Sequence, residues 1–114
     1  TMKEYIQSKI QNIHVTDKSL HYEGSVTICR NLMSKVNLEP FQKVDVVNMN
    51  TGGRWSTYVI PGSKEVFELN GGGARLGEIG DPCVILGYKL SSHFEGASVI
   101  FCDKYNKLTK FIKY

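Results

Sequence analysis

No stretch of this 114-residue chain is apolar for long enough to span a membrane as a helix. The opening residues, TMKEYIQSKI, alternate polar and apolar side chains and lack the apolar segment of a secretion signal. Cysteine is scarce and odd in number. Cys29, Cys83 and Cys102 lie in apolar surroundings and form no CxxC pair. A disulfide scaffold is therefore not expected; buried free thiols in a reducing compartment, the cytoplasm, are. His14, His21 and His93 stand apart from one another and from the cysteines, so no zinc spacing occurs and no metal is expected. Charge of one sign is also lacking, since the formal net charge is only +3. Lys104, Lys107, Lys110 and Lys113 cluster near the C-terminus, where a solvated strand edge explains them better than nucleic acid. Neither nucleic acid nor a membrane is expected as a partner.

The chain is long enough to bury a core without staples, and one domain over residues 1–114 is expected. No internal repeat or linker divides it. Lys3 to Val15 suggests a strand, although its apolar members Ile6, Ile10, Ile13 and Val15 are imperfectly spaced. Thr16-Asp17-Lys18 is a turn signal. After a short strand at Val26–Ile28, Cys29, Leu32, Met33 and Val36 fall at i, i+3, i+4 and i+7, one face of a short helix. Asn37 and Pro40 help to end it. Strands follow at Lys43–Asn48, Arg54–Ile60 (RWSTYVI), Val66–Leu69, Pro82–Leu90 and Ser98–Phe101, with a last edge strand in the tail. The turns between them are NTGG, Pro61-Gly62-Ser63, NGGGA and KYNK. Short strands, one or two short helices and Gly-rich corners predict a mainly β fold, a small closed barrel, with a sandwich as the alternative.

Three stretches stand out. In HYEGSVTI, Gly24-Ser25 sits at the start of a β-branched run and reads by itself as a turn. NGGGA lacks the strand-to-helix setting and lysine of a phosphate loop. Its glycines suit either a tight corner or a loop approached closely by a ligand. In RWSTYVI a strand would place Arg54, Ser56 and Tyr58 on one face and Trp55, Thr57 and Val59 on the other. Arg54 with a phenol nearby would make an anion-binding fork; an exposed strand face is the plainer reading.

Taken together, SKI with Lys9, VTDKSLHYEGSVTI, NMNTGGRWSTYVI, NGGGA and IGDPCVIL resemble the pyruvoyl-dependent aspartate 1-decarboxylase family in order and nearly in spacing, from about Lys3 to Leu86. The resemblance implies a six-stranded double-psi β-barrel. It implies self-cleavage between Gly24 and Ser25 into residues 1–24 and 25–114, with Ser25 becoming a covalent pyruvoyl group that takes the place of pyridoxal phosphate. The product of L-aspartate would be β-alanine with CO₂, a step of pantothenate biosynthesis. Thr57 maps to a residue that assists cleavage, and Asn70 to one that positions the reacting ester or the bound intermediate. Arg54 maps to the clamp for the substrate's side-chain carboxylate, Lys9 to a substrate-site lysine and Tyr58 to the proton donor. Thr57 also maps to the substrate-binding set, and Gly72, Gly73 and Ala74 would line the substrate. His21 and Tyr22 match the family and could serve only the cleavage turn. A homotetramer with sites shared between subunits is implied, and in some lineages an accessory maturation factor.

Two departures bear on that site. Gln11 stands where a histidine is common, so a substrate-side imidazole is missing, and Gly72-Gly73 replaces part of an alanine run. The competing readings are a non-catalytic β-barrel binding module and a pyruvoyl decarboxylase for a different amino acid. Chain cleavage separates the first from the aspartate decarboxylase reading, and turnover of aspartate separates the second.

Overall fold

β-Branched and aromatic residues at period two favour extended backbone along most of this chain. The computed structural model describes every residue from Thr1 to Tyr114. Its strands are β1 (Lys3–His14), β2 (Asp17–Ser19), β3 (Ser25–Cys29), β4 (Lys43–Asn48), β5 (Arg54–Gly62), β6 (Phe67–Asn70), β7 (Pro82–Ser91), β8 (Ser98–Cys102) and β9 (Leu108–Lys113). A short helix, α1 (Arg30–Lys35), follows β3, and a 3₁₀ turn, Gly71–Arg75, follows β6. The nine strands form one sheet in the order β2-β6-β3-β5-β4-β7-β1-β8-β9. The architecture is mainly β, as expected. Its parallel pairs are β1/β8, β2/β6 and β3/β5.

The imperfect spacing in β1 has a physical cause. The register against β7 shifts between Ile6 and Ser8 and again between Gln11 and Ile13, and Asn12 takes a φ of 67°. Each irregularity resets the alternation of faces. Ser8, Ile10, Ile13 and Val15 are consequently all buried.

Two expected turns are corrected. Thr16-Asp17-Lys18 does not turn. The Thr16 amide donates to the Phe67 carbonyl at 2.8 Å. The Thr16 hydroxyl donates to the same oxygen at 3.0 Å and accepts from the Phe67 amide at 2.9 Å. Held this way, the chain stays extended, and Asp17–Ser19 pairs in parallel with Glu68–Asn70. Pro61-Gly62 likewise continues β5, because Pro61 and Gly62 remain in register with Ile28 and Cys29 of β3. The left-handed residue in the following loop is Glu65, with a φ of 65°.

A cluster of 20 buried residues draws on β1, on β3 through β8 and on α1. Fully buried Phe67, Ile28, Ile85 and Ile100 are among its large members, and cutting one of them back to alanine would cost about 2–5 kcal/mol. The helix is shorter than its spacing suggests. Cys29 and Val36 act as its caps, yet both are buried with Leu32 and Met33. The three cysteines are free and buried. Burial pushes the Cys83 thiol up to about 12 and the Cys102 thiol up to about 11, which keeps both protonated. No helix is long and apolar enough to cross a membrane.

Candidate active site

β3 begins at Ser25, directly after a glycine with open space around it. A Cβ built on Gly24 would meet nothing within 4 Å, and Gly24 is exposed. Ser25 itself is only 2% exposed. Antiparallel pairing sets Asn70 of β6 opposite it. Asn70 Nδ2 donates to Ser25 Oγ at 3.0 Å and to Thr27 Oγ1 at 3.0 Å. The Ser25 hydroxyl donates in turn to the Glu23 carbonyl, at a long 3.4 Å. A buried hydroxyl oxygen is thus held by an amide donor beside an exposed glycine.

The glycine run after Asn70 divides into separate roles. Gly71 has a φ of 69°, and a Cβ there would lie 2.8 Å from Gly24 Cα and 2.9 Å from the Tyr22 carbonyl oxygen. It is the tight corner, and it lets two backbones touch. A Cβ on Gly72 would meet nothing, whereas one on Gly73 would lie 3.0 Å from Trp55 Nε1. Ala74 is buried.

On the other side of β3 runs β5, with Val26 paired to Val59 and Thr27 to Ile60. The ladder runs from Val26–Val59 to Cys29–Gly62, so Thr57 and Tyr58 lie just before its first pair, toward the Ser25 end of β3. Tyr58 stacks on Phe41 with ring centroids 6.0 Å apart. Against β4, Tyr58 pairs with Lys43, Ser56 with Asp45 and Arg54 with Val47, while Trp55 and Thr57 alternate with them. The expected division of faces in RWSTYVI therefore holds, with Trp55 packed on the core.

The phenol beside Arg54 is Tyr88, however, and not Tyr58. Arg54 Nη2 donates to the Tyr88 oxygen at 3.0 Å and to Asp45 Oδ2 at 3.4 Å. Tyr88 donates to Asp45 Oδ2 at 2.9 Å, and Ser56 donates to Asp45 Oδ1 at 2.6 Å. The Ser56 bond foremost, then those from Tyr88 and Arg54, hold the Asp45 carboxyl below its usual range against the opposing effect of burial. Burial first, then the bond to Asp45, pushes the Tyr88 phenol up. Asp45, Ser56 and Tyr88, without Arg54, line a cleft of about 340 Å³ together with Glu4 and Lys43. Asp45 and Tyr88 carry no sequence signal of their own. They come from β4 and β7 and meet only through strand register.

Lys9 sits between Leu86 of β7 and Val99 of β8. With Ile6, Phe94 and Phe101 it lines an apolar cleft of about 380 Å³. Within one chain the structure thus brings Asn70 to Ser25 and sets the Tyr58 stretch of β5 alongside. Arg54 and Lys9 make no hydrogen bond to that group. No cluster of three or more His, Cys, Asp or Glu side chains could hold a metal ion.

The structure thus sets a buried serine hydroxyl next to an exposed glycine, with a carboxylate-pairing arginine on the same sheet. The family model described as aspartate decarboxylase matches residues 1–109. The chain is 42% identical over 111 residues to aspartate 1-decarboxylase of Dehalococcoides mccartyi strain CBDB1, covering 92% of this chain and 90% of that one. It is 40% identical over 111 residues to the aspartate 1-decarboxylase of Carboxydothermus hydrogenoformans strain Z-2901, covering 92% and 87%. It is 36% identical over 113 residues to that of Pyrobaculum islandicum strain DSM 4184, covering 96% and 94%. The chain belongs to the aspartate decarboxylase family.

Proposed function

We propose that this chain converts L-aspartate to β-alanine and CO₂ with a pyruvoyl group made from its own Ser25. The observation that carries this reading is the buried Ser25 oxygen, held at 3.0 Å by Asn70 behind the open Gly24. In maturation, Ser25 Oγ bonds to the Gly24 carbonyl carbon, the Gly24–Ser25 C–N bond breaks, and the hydroxyl proton ends on the Ser25 nitrogen. Loss of the Ser25 α-proton to solvent, with cleavage of Cβ–Oγ, releases Gly24 as a carboxylate and leaves dehydroalanine. Water then replaces the nitrogen, which departs as ammonia. The surroundings suit such a group. The side-chain face of Gly24 is open while its backbone packs on Gly71, and Asn70 presents a donor to the oxygen that departs with the new C-terminus. Thr57, on β5 just before its first pair with β3, assists the cleavage.

When present, the pyruvoyl group supplies an electron sink for the carbanion left by decarboxylation. The side chains supply binding and proton control. Arg54 clamps the side-chain carboxylate, which survives the reaction. A clamp on the departing carboxylate would instead stabilise the ground state and oppose release of neutral CO₂. Lys9 adds positive potential, Tyr58 delivers the proton to the α-carbon, and Gly72, Gly73 and Ala74 line the substrate.

Arg54 lies four residues from Tyr58 along β5, about 13 Å at the rise of a strand. Aspartate is much shorter. This separation supports a site shared between subunits of a homotetramer, with Arg54 and Lys9 facing a neighbour's Ser25. A closed six-stranded double-psi barrel over a single domain, 1–114, is supported by the continuity of β1 and β2. One end of that run pairs with β7, while Thr16 and β2 bond to β6. In the proposed barrel, β6-β3-β5-β4-β7-β1 would close through that β1–β2 run. A cytoplasmic setting agrees with the three free buried thiols. A maturation factor is a further proposed partner.

An intact-mass spectrum tests the reading. Two fragments, 1–24 and 25–114, with the larger lacking a free amine, are expected, together with β-alanine from aspartate. Ser25→Ala should give one uncut, inactive chain. Cleavage of that variant at Gly24 would overturn the chemistry.

A further inference from the structure

The amide that holds Ser25 is itself held from a second side. Asn70 Nδ2 carries two hydrogens, and the structure gives each a partner: Ser25 Oγ and Thr27 Oγ1, both at 3.0 Å. Ser25 and Thr27 are two apart on β3, so their side chains share a face. All three residues are buried, with Thr27 at 9% exposed. An amide tied through one hydrogen can still turn over and present its carbonyl oxygen. Tied through both, it turns over only if both hydroxyls reverse from acceptor to donor and Ser25 gives up its bond to Glu23.

We infer that Thr27 is a positioning residue for chain cleavage, acting through Asn70. It rests on the proposed cleavage at Gly24–Ser25. A turned Asn70 would offer Oδ1 to the Ser25 hydroxyl and draw its proton away from Glu23. With Nδ2 held toward β3, the Ser25 proton points to the Glu23 carbonyl and a donor stays on Oγ. That donor matters most in the second stage. When Cβ–Oγ breaks, the electron pair leaves with Oγ, and Oγ becomes part of the Gly24 carboxylate. The Asn70 N–H then faces growing negative charge on the atom it already holds. Thr27 touches no reacting atom.

Cell-free synthesis of the full chain, followed by timed gel separation of cut and uncut forms, tests this. Thr27→Val keeps the shape and removes the acceptor. Cleavage should slow by roughly tenfold, the scale of one neutral hydrogen bond. Thr27→Ser keeps the hydroxyl and drops the methyl that packs against Gly62, and it should cleave at close to the wild-type rate. Rescue by serine but not valine supports the positioning role. Equal rates in Thr27→Val and wild type would overturn it, as would equal slowing in both variants, which would make the packed methyl the cause. If Thr27→Val fails to fold by circular dichroism, Thr27→Ala takes its place against Thr27→Ser with the same outcomes. A wild-type chain that stays uncut even after its source organism's cell extract is added to supply a maturation factor would overturn the underlying cleavage reading. A wild type that cuts, with an unaffected Thr27→Val, overturns only the role of Thr27.

Discussion

Gly71 and Gly24 touch through their backbones: a Cβ on Gly71 would lie 2.8 Å from Gly24 Cα and 2.9 Å from its nitrogen. The left-handed φ of 69° adds strain for any side chain there. Gly71→Ala should lower the melting temperature and leave more of the chain uncut, because the 22–24 segment must move. Gly72→Ala, with open space and no left-handed φ, should fold and cleave normally. Melting curves and gel quantification check both. Normal cleavage in Gly71→Ala would detach this contact from maturation.

Arg54→Lys keeps the charge but loses the planar fork and the geometry shared with Tyr88 and Asp45. The KM for aspartate should rise by roughly tenfold or more, since a charge-assisted hydrogen bond is worth about 1.5–3 kcal/mol. Pyruvoyl content should stay at the wild-type level. Unchanged aspartate kinetics would remove Arg54 from the site.

Tyr58→Phe keeps the ring that stacks on Phe41 and deletes only the hydroxyl. The variant should fold and cut. β-Alanine formation per pyruvoyl group should fall by roughly 10²–10⁴-fold, the scale for losing a positioned proton donor. Near-normal turnover would refute that role, and failed cleavage would move Tyr58 into maturation.

Acid should destabilise the fold through two carboxyls. Asp81 is held below its usual range by the Glu78 amide first, then by the Asn48 and Asn50 side chains. Asp45 is held low by Ser56 first. A carboxyl depressed on folding contributes in full above its unfolded value, near ~4, and loses that contribution as pH falls through the lower folded value. Melting temperature should therefore drop on acidification below about pH 4. Asp81→Asn should flatten that drop, and a profile as steep as wild type would count against Asp81 as a source.

The strands with strict alternation were readable in advance. Lys43–Asn48 matches β4, and Arg54–Ile60 lies wholly within β5 with its two faces as expected. β1 was blurred by its two bulges, which local periodicity cannot represent. β2 was hidden because Thr16-Asp17-Lys18 looks like a turn until the Thr16 hydroxyl finds Phe67. Ser25 and Asn70 could be named from their motifs, but their pairing is a matter of register across 45 residues. Thr27, Asp45 and Tyr88 had no motif to announce them. Their roles come from partners on other strands.

The pairing of β1 with both β7 and β8, and of β2 with β6, bears on the history of the folded molecule. A cut after Gly24 leaves residues 1–24 stitched into the sheet along two strands, so the fragment stays after its covalent tether is gone. Unfolding of the cut form would then release two separate peptides, and return would need them to collide. The intact precursor closes the same contacts within one molecule. Its Ser25→Ala version should regain the subunit fold independently of concentration, while the cut form should recover poorly after dilution from denaturant. The mature protein would owe its persistence to slow escape from a shape that only its precursor can readily reach.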